Sequence, residues 1–117
     1  MNKKERIKSV GFVDQELKDA YEQLKAGRTE DRWLAGNINK AIEALKENPM
    51  AGVIVPRKLW PKLYIQKYKI NNLRKYDLPD GWRLTYTLKG NEIEIVSVIL
   101  EWLSHKQYEK RFGYKVG

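Results

Sequence analysis

The chain contains no cysteine, which excludes disulfides and thiolate-bound metal sites. Its single histidine, His105, leaves little from which to build a zinc site of protein side chains, and neither a metal nor a cofactor is expected. No apolar run approaches the ~20 residues that a bilayer span needs. The basic N-terminus has no apolar segment behind it, so no signal peptide is expected, and a cytoplasmic location without membrane contact follows by default. Internal repeats, low-complexity tracts and linkers are also missing. The 117 residues therefore read as one domain, 1–117, with a modest core.

A further absence is local. The net charge is +8, yet residues 48–76 hold no aspartate or glutamate at all. That segment carries Arg57, Lys58, Lys62, Lys67, Lys69, Arg74 and Lys75, and so contains nearly the whole excess. Trp60, Tyr64, Tyr68 and Tyr76 are interleaved with these cations. Such a mixture suits a phosphate backbone with stacked bases. It equally describes a solvated, solubilising surface whose aromatics pack inward.

The clearest pattern runs from Leu73 to Leu100. Strands are expected at 73–78, 82–88 and 92–100, separated by Pro79-Asp80-Gly81 and by Lys89-Gly90-Asn91. This is the signature of an antiparallel meander. In the middle strand Trp82, Leu84, Tyr86 and Leu88 share one face, while Arg83, Thr85 and Thr87 share the other. The expected arrangement is an apolar face packed by helices and a polar face carrying an arginine. The nearly continuous apolar run Val96–Leu100 places the last strand in the interior of the sheet. Glu92 and Glu94 alternate with isoleucines and read as a solvated strand face.

Residues 1–5 are expected to fray. A short strand is expected near Arg6–Val13. Asp14 can cap a helix with Leu17, Ala20, Tyr21 and Leu24 at helical spacing, stopping near Gly27. Thr29 can cap a second helix, with Glu30 and Asp31 in its first turn and a stripe of Trp33 or Leu34, Ile38, Ala41, Ile42 and Leu45, ended by Asn48-Pro49. The short connection makes these two helices an antiparallel hairpin. Val53-Ile54-Val55 can dock as an edge. Pro61 can open a short helical turn through Lys67, with strand as the alternative. Glu101–Phe112 reads as a short helix or an ordered tail, and Trp33, Trp82 and Trp102 read as core. The fold class is α+β: a small, mostly meandering antiparallel sheet packed on a helical hairpin.

Two stretches carry a family resemblance. Gly81-Trp82-Arg83-Leu84-Thr85-Tyr86 resembles the glycine-aromatic-arginine-aliphatic-x-tyrosine strand of the RelE/ParE superfamily of toxins. Val96–Leu100 followed by His105-Lys106-x-Tyr108 resembles that family's last strand and its C-terminal histidine, basic and tyrosine positions. The likeness covers residues 71–114 and extends by element order to the hairpin. It implies a toxin of a type II toxin–antitoxin pair, with a cognate antitoxin as partner. In the RelE branch it also implies metal-independent cleavage of ribosome-associated mRNA, and in the ParE branch inhibition of DNA gyrase without catalysis. A third possibility is RNA binding without cleavage, since fold alone does not fix function.

For cleavage, a base must take the 2′-hydroxyl proton, cations must stabilise the phosphorane, and an acid must protonate the leaving oxygen. The catalytic candidates are Arg83, His105, Tyr108 and Lys106. Arg83 presents a fixed fork of donors to phosphate, or else pairs with Glu94 or Asp77 across the sheet. His105 is the candidate proton carrier, because histidine ordinarily changes charge near neutrality. Tyr108 can stack on a base or act as an acid, and Lys106 assists electrostatically. Arg74, Lys75, Arg57, Lys58, Lys62, Lys67, Lys69 and Arg111 are the candidate nucleic-acid contacts. Family nucleases commonly place two basic side chains one residue apart on the strand before the arginine motif. Here Arg74 and Lys75 are adjacent and face opposite ways, and Asp77 stands where a second cation is expected.

Overall fold

A computed structural model describes residues 5–113. The expected fraying before Glu5, and Tyr114 at the end of the resemblance, lie outside the described residues. The elements run β1 (Ile7–Phe12), α1 (Gln15–Lys25), α2 (Thr29–Glu47), β2 (Val53–Ile54), α3 (Lys62–Lys67), β3 (Arg74–Asp77), β4 (Arg83–Gly90), β5 (Glu94–Leu103) and α4 (His105–Phe112). Tight 3-10 turns at Arg57–Leu59 and Pro79–Gly81 complete the chain.

The fold is α+β. The five strands form one sheet in the order β1-β5-β4-β3-β2. β2, β3, β4 and β5 pair antiparallel, whereas β1 runs parallel to β5, so the sheet is mixed and not the wholly antiparallel one expected. Parallel pairing needs a long crossover, and the α1–α2 hairpin with the segments after it supplies that length. β5 lies between β1 and β4, in the interior as its apolar run implied.

Local chemistry accounts for the helices. The Asp14 carboxylate accepts from Leu17 N–H at 2.8 Å and caps α1. Thr29, expected as the cap of α2, is instead its first helical residue, and Arg28 before it makes no side-chain cap. Glu30 and Asp31 favour that positive helix end without a hydroxyl cap. Leu34, Ala35, Ile38, Ala41 and Leu45 form the buried stripe of α2. Trp33 lies beside that stripe and is 40% exposed, so it is not core.

The first core contains the expected residues. Leu84, Tyr86, Tyr21, Ile38, Leu45 and Ile99 are buried there, and Leu17, Ile42, Trp82 and Trp102 pack against them. A fully buried leucine or isoleucine contributes about 1.5–3 kcal/mol, so this layer dominates the stability of the hairpin on the sheet.

The other face differs from expectation. The polar, arginine-bearing face that the alternation implies is covered by a second core, made by Val55, Tyr64, Ile70, Leu73, Leu100, Leu103, Tyr108 and Phe112. Thr85 and Thr87 are buried within the sheet. Their hydroxyls are satisfied by Tyr64 Oη at 2.9 Å and by the Asn72 carbonyl at 2.7 Å. A buried polar group costs little once it is hydrogen-bonded. Threonines that look solvent-facing in sequence can therefore lie under α3 and α4.

Register explains how α4 reaches this face. Thr85 pairs with Glu101 and Tyr86 with Ile99, which leaves Leu100 as an extra residue in β5. This β-bulge shifts the alternation by one. Beyond it Glu101 and Leu103 lie opposite Thr85 and Arg83, on the second face. β5 continues to Leu103, three residues past the expected end at Leu100. Ser104 then starts α4 with a capping box: its hydroxyl accepts from Gln107 N–H, and the Gln107 side chain accepts from Ser104 N–H.

Candidate functional site

At the end of the sheet where β3 finishes and β4 begins, four side chains meet on the α4 side. Asp77 and Arg83 are cross-strand partners. Asp77 Oδ1 lies 3.2 Å from Arg83 Nε and 3.1 Å from Lys75 Nζ, so one carboxylate bridges two cations. Lys75 sits opposite Thr85 and shares this face. The Arg83 guanidinium also donates to the Gly81 carbonyl and lies 5.3 Å from the centroid of the Tyr108 ring.

The turn between β3 and β4 joins this cluster to α4. Asp80 and Gly81 both have positive φ, at 59° and 78°. The glycine is required twice over, by its left-handed backbone and by space, since a Cβ at Gly81 would stand 3.1 Å from the His105 Cβ. His105 therefore packs on the same turn whose carbonyl holds Arg83. Its Nε2 lies 2.8 Å from Glu109 Oε1, one helical turn later, and its side chain is 61% exposed. This contact leaves Nδ1 as the ring nitrogen not engaged by Glu109.

Three of the four catalytic candidates thus come together. Arg83 and His105 flank the Gly81 turn, and Tyr108 lies beneath Arg83. Tyr108 is buried and stacks on Phe112 with ring centroids 4.3 Å apart. Its ring supports the arginine from inside the second core and does not face solvent. Lys106 is exposed on α4 beside His105.

The basic candidates divide. Lys75 joins the cluster, but Arg74 lies on the opposite face and donates to the carbonyls of Gly52 at 2.7 Å and Met50 at 3.2 Å. Arg111 is held by both Glu101 oxygens at 2.9 Å. Arg57 stacks over Trp60 and Lys67 over Tyr68, at 5.3 Å and 5.4 Å. Lys58, Lys62 and Lys69 are solvent-exposed.

A buried polar chain fastens α3 and α4 beneath the site. Tyr64 Oη donates to Glu101 Oε1 at 2.6 Å and contacts Thr85 Oγ1, and Glu101 in turn receives Arg111. Burial foremost, and then the adjacent Glu101 carboxylate, push the Tyr64 phenol well above its ordinary range, so it remains a neutral donor. The hydrogen bonds that Arg111 donates to Glu101 likewise raise its own pKa.

Sequence reasoning missed Glu109, Tyr64 and Glu101. Glu109 was recoverable, because it lies four residues after His105 in a helical tail. The other two were not, as their partners are distant in the chain. Among the described residues, no three histidine, aspartate or glutamate side chains cluster so as to hold a metal ion. Among them too, no helix is long and apolar enough to cross a membrane.

Chemically, the cluster offers two cations around a displaceable carboxylate, with an imidazole on the adjoining turn. No family model matches the chain, and neither does any curated protein or solved structure.

Proposed function

We propose that the chain binds single-stranded RNA and cleaves it without a metal at the Lys75–Arg83–His105 cluster. More particularly, it acts as a RelE-like toxin of a type II toxin–antitoxin pair, an mRNA endoribonuclease working on the ribosome and restrained by a cognate antitoxin. One observation carries this reading: the only histidine and the strand arginine both approach the point where a Cβ on Gly81 would stand, His105 Cβ at 3.1 Å and Arg83 Nη1 at 3.9 Å. Histidine, arginine and lysine together provide one proton carrier and two phosphate clamps.

In the proposed reaction the 2′-oxygen attacks the adjacent phosphorus. The bond to the 5′-oxygen breaks, leaving a 2′,3′-cyclic phosphate and a 5′-hydroxyl. Arg83 and Lys75 turn from Asp77 to the phosphate and stabilise the charge that develops on it. His105 takes the 2′-hydroxyl proton through the nitrogen that Glu109 leaves open, Glu109 fixes the ring, and solvent water protonates the leaving 5′-oxygen. Lys106 adds positive potential, and Tyr108 keeps Arg83 in place. The exposed lysines Lys58, Lys62, Lys67 and Lys69 of the basic segment extend the contact with RNA or the ribosome.

A second reading, RNA binding without cleavage, is favoured by the Asp77 bridge, which engages both cations with one negative charge in the free protein and leaves a net positive charge there. Expression in cells with primer extension on a reporter mRNA separates the readings. Cuts confined to translated frames are expected, surviving chelation once ribosome integrity is controlled. Arg83→Ala should lose about 100- to 1,000-fold in rate, and His105→Ala about 100-fold or more. Intact mRNA with altered DNA topology would replace this proposal with gyrase inhibition. Cleavage at wild-type rate by both variants would remove the proposed site.

A further inference from the structure

At the far end of β4 from Arg83 lies a second concavity, of about 510 Å³. Its floor is aliphatic, with Ile54, Leu88 and Ile95, and its rim carries Arg6, Arg57 and Lys89. Among the described residues, no carboxylate lines it. Beside it the edge strand β2 shows Val53 and Ile54 to solvent, 59% and 65% exposed, and Met50 is also exposed. β2 pairs with β3 alone and ends the sheet.

We infer that this groove is a docking site for an acidic, aliphatic segment of a partner protein, lying extended beside β2. The aliphatic floor and neighbouring exposed side chains take up apolar residues, while the cationic rim matches carboxylates. Arg74 holds the wall in shape through its bonds to Gly52 and Met50. RNA fits the same place less well. Among the described lining residues Trp60 alone is aromatic, and it already carries Arg57 over its ring at 5.3 Å and spends its indole N–H on the Val55 carbonyl at 2.8 Å. The Asn72 amide is likewise occupied, exchanging hydrogen bonds with the Leu88 backbone. A flat aliphatic floor offers a base nothing to pair with, but it is what leucine or valine side chains require.

The test uses the full chain and a fluorescein-labelled peptide of alternating glutamate and leucine, with an alternating lysine–leucine peptide and oligouridylate as comparisons, read by anisotropy. The glutamate peptide should bind and the lysine peptide should not. Arg6→Glu combined with Lys89→Glu should weaken the glutamate peptide about tenfold or more, the scale of losing two rim charge pairs. Ile54→Ser should weaken it independently of charge, and oligouridylate binding at the Arg83 cluster should persist in both variants. Failure of the glutamate peptide to bind, or its indifference to both variants, overturns the inference. Selective loss of oligouridylate in the charge-reversed variant would instead make the groove a nucleic-acid surface. The inference stands apart from the cleavage reading, because none of these measurements depends on mRNA being cut.

Discussion

Asp77→Asn tests the phosphate clamp most directly. The carboxylate lies 3.1 Å from Lys75 Nζ and 3.2 Å from Arg83 Nε, and any phosphate using these cations must displace it. Two unit charges at this separation attract by about 1.3 kcal/mol in a water-like dielectric. The Asp77 side chain is 61% exposed, so solvent and salt reduce each pair to about 0.5–1 kcal/mol. Two pairs then oppose phosphate binding by about 1–2 kcal/mol, or roughly five- to thirtyfold in affinity. The assay is fluorescence anisotropy with a 2′-O-methyl oligoribonucleotide, which binds but lacks the hydroxyl needed for cleavage. Asp80→Asn removes the same charge from the exposed turn and corrects for net charge alone. Asp77→Asn should bind more tightly than Asp80→Asn by the stated factor. Equal or weaker binding would show that Lys75 and Arg83 do not receive the phosphate.

Three further outcomes follow from the same geometry. Tyr64→Phe removes a buried hydrogen bond to a carboxylate and should cost about 1.5–3 kcal/mol in urea unfolding; a change below about 0.5 kcal/mol would deny the Tyr64–Glu101 link a structural role. Burial raises the phenols of Tyr64, Tyr86, Tyr21 and Tyr68, so the folded chain keeps protons that the unfolded chain releases above about pH 10. Stability is therefore unaffected by these groups below that pH and falls as pH rises through it, with a shallower fall in Tyr64→Phe; urea midpoints measured between pH 8 and 11 check the sign. If the basic segment contacts single-stranded RNA, replacing Lys58, Lys62 and Lys67 together by alanine should flatten the slope of log affinity against log salt by up to about two units; an unchanged slope assigns these lysines to solubility.

The meander and the first core were legible because they rest on local signals. Period-two alternation at Trp82–Leu88, turn residues at Pro79–Gly81 and the aspartate cap of α1 each act within a few residues. The second core rests on distant satisfaction of polar groups. Thr85 looked solvent-facing until Tyr64, 21 positions away, supplied its partner. α3 is six residues long, too short for a helical period to declare itself. Strand β1 was expected, but its parallel partner was not, since nothing in Ile7–Phe12 specifies direction. At the candidate site, alternation correctly set Arg74 and Lys75 on opposite faces, and only the register with β4 showed that Lys75 is the one beside Arg83.

The extra residue at Leu100 makes the position of His105 a matter of odd and even counting. Were the same residues paired without a bulge, Thr85 would face Leu100 and Arg83 would face Trp102, and Leu103 would turn toward the helical hairpin. α4 would then leave the sheet on the wrong side, and the imidazole would be separated from Arg83 by the thickness of the strand layer. Deleting Leu100 itself would leave Ile99, Glu101, Trp102 and Leu103 in plain alternation, with Glu101 and Leu103 still opposite Thr85 and Arg83, so the face from which α4 departs survives loss of the bulge residue but not a re-pairing that keeps it.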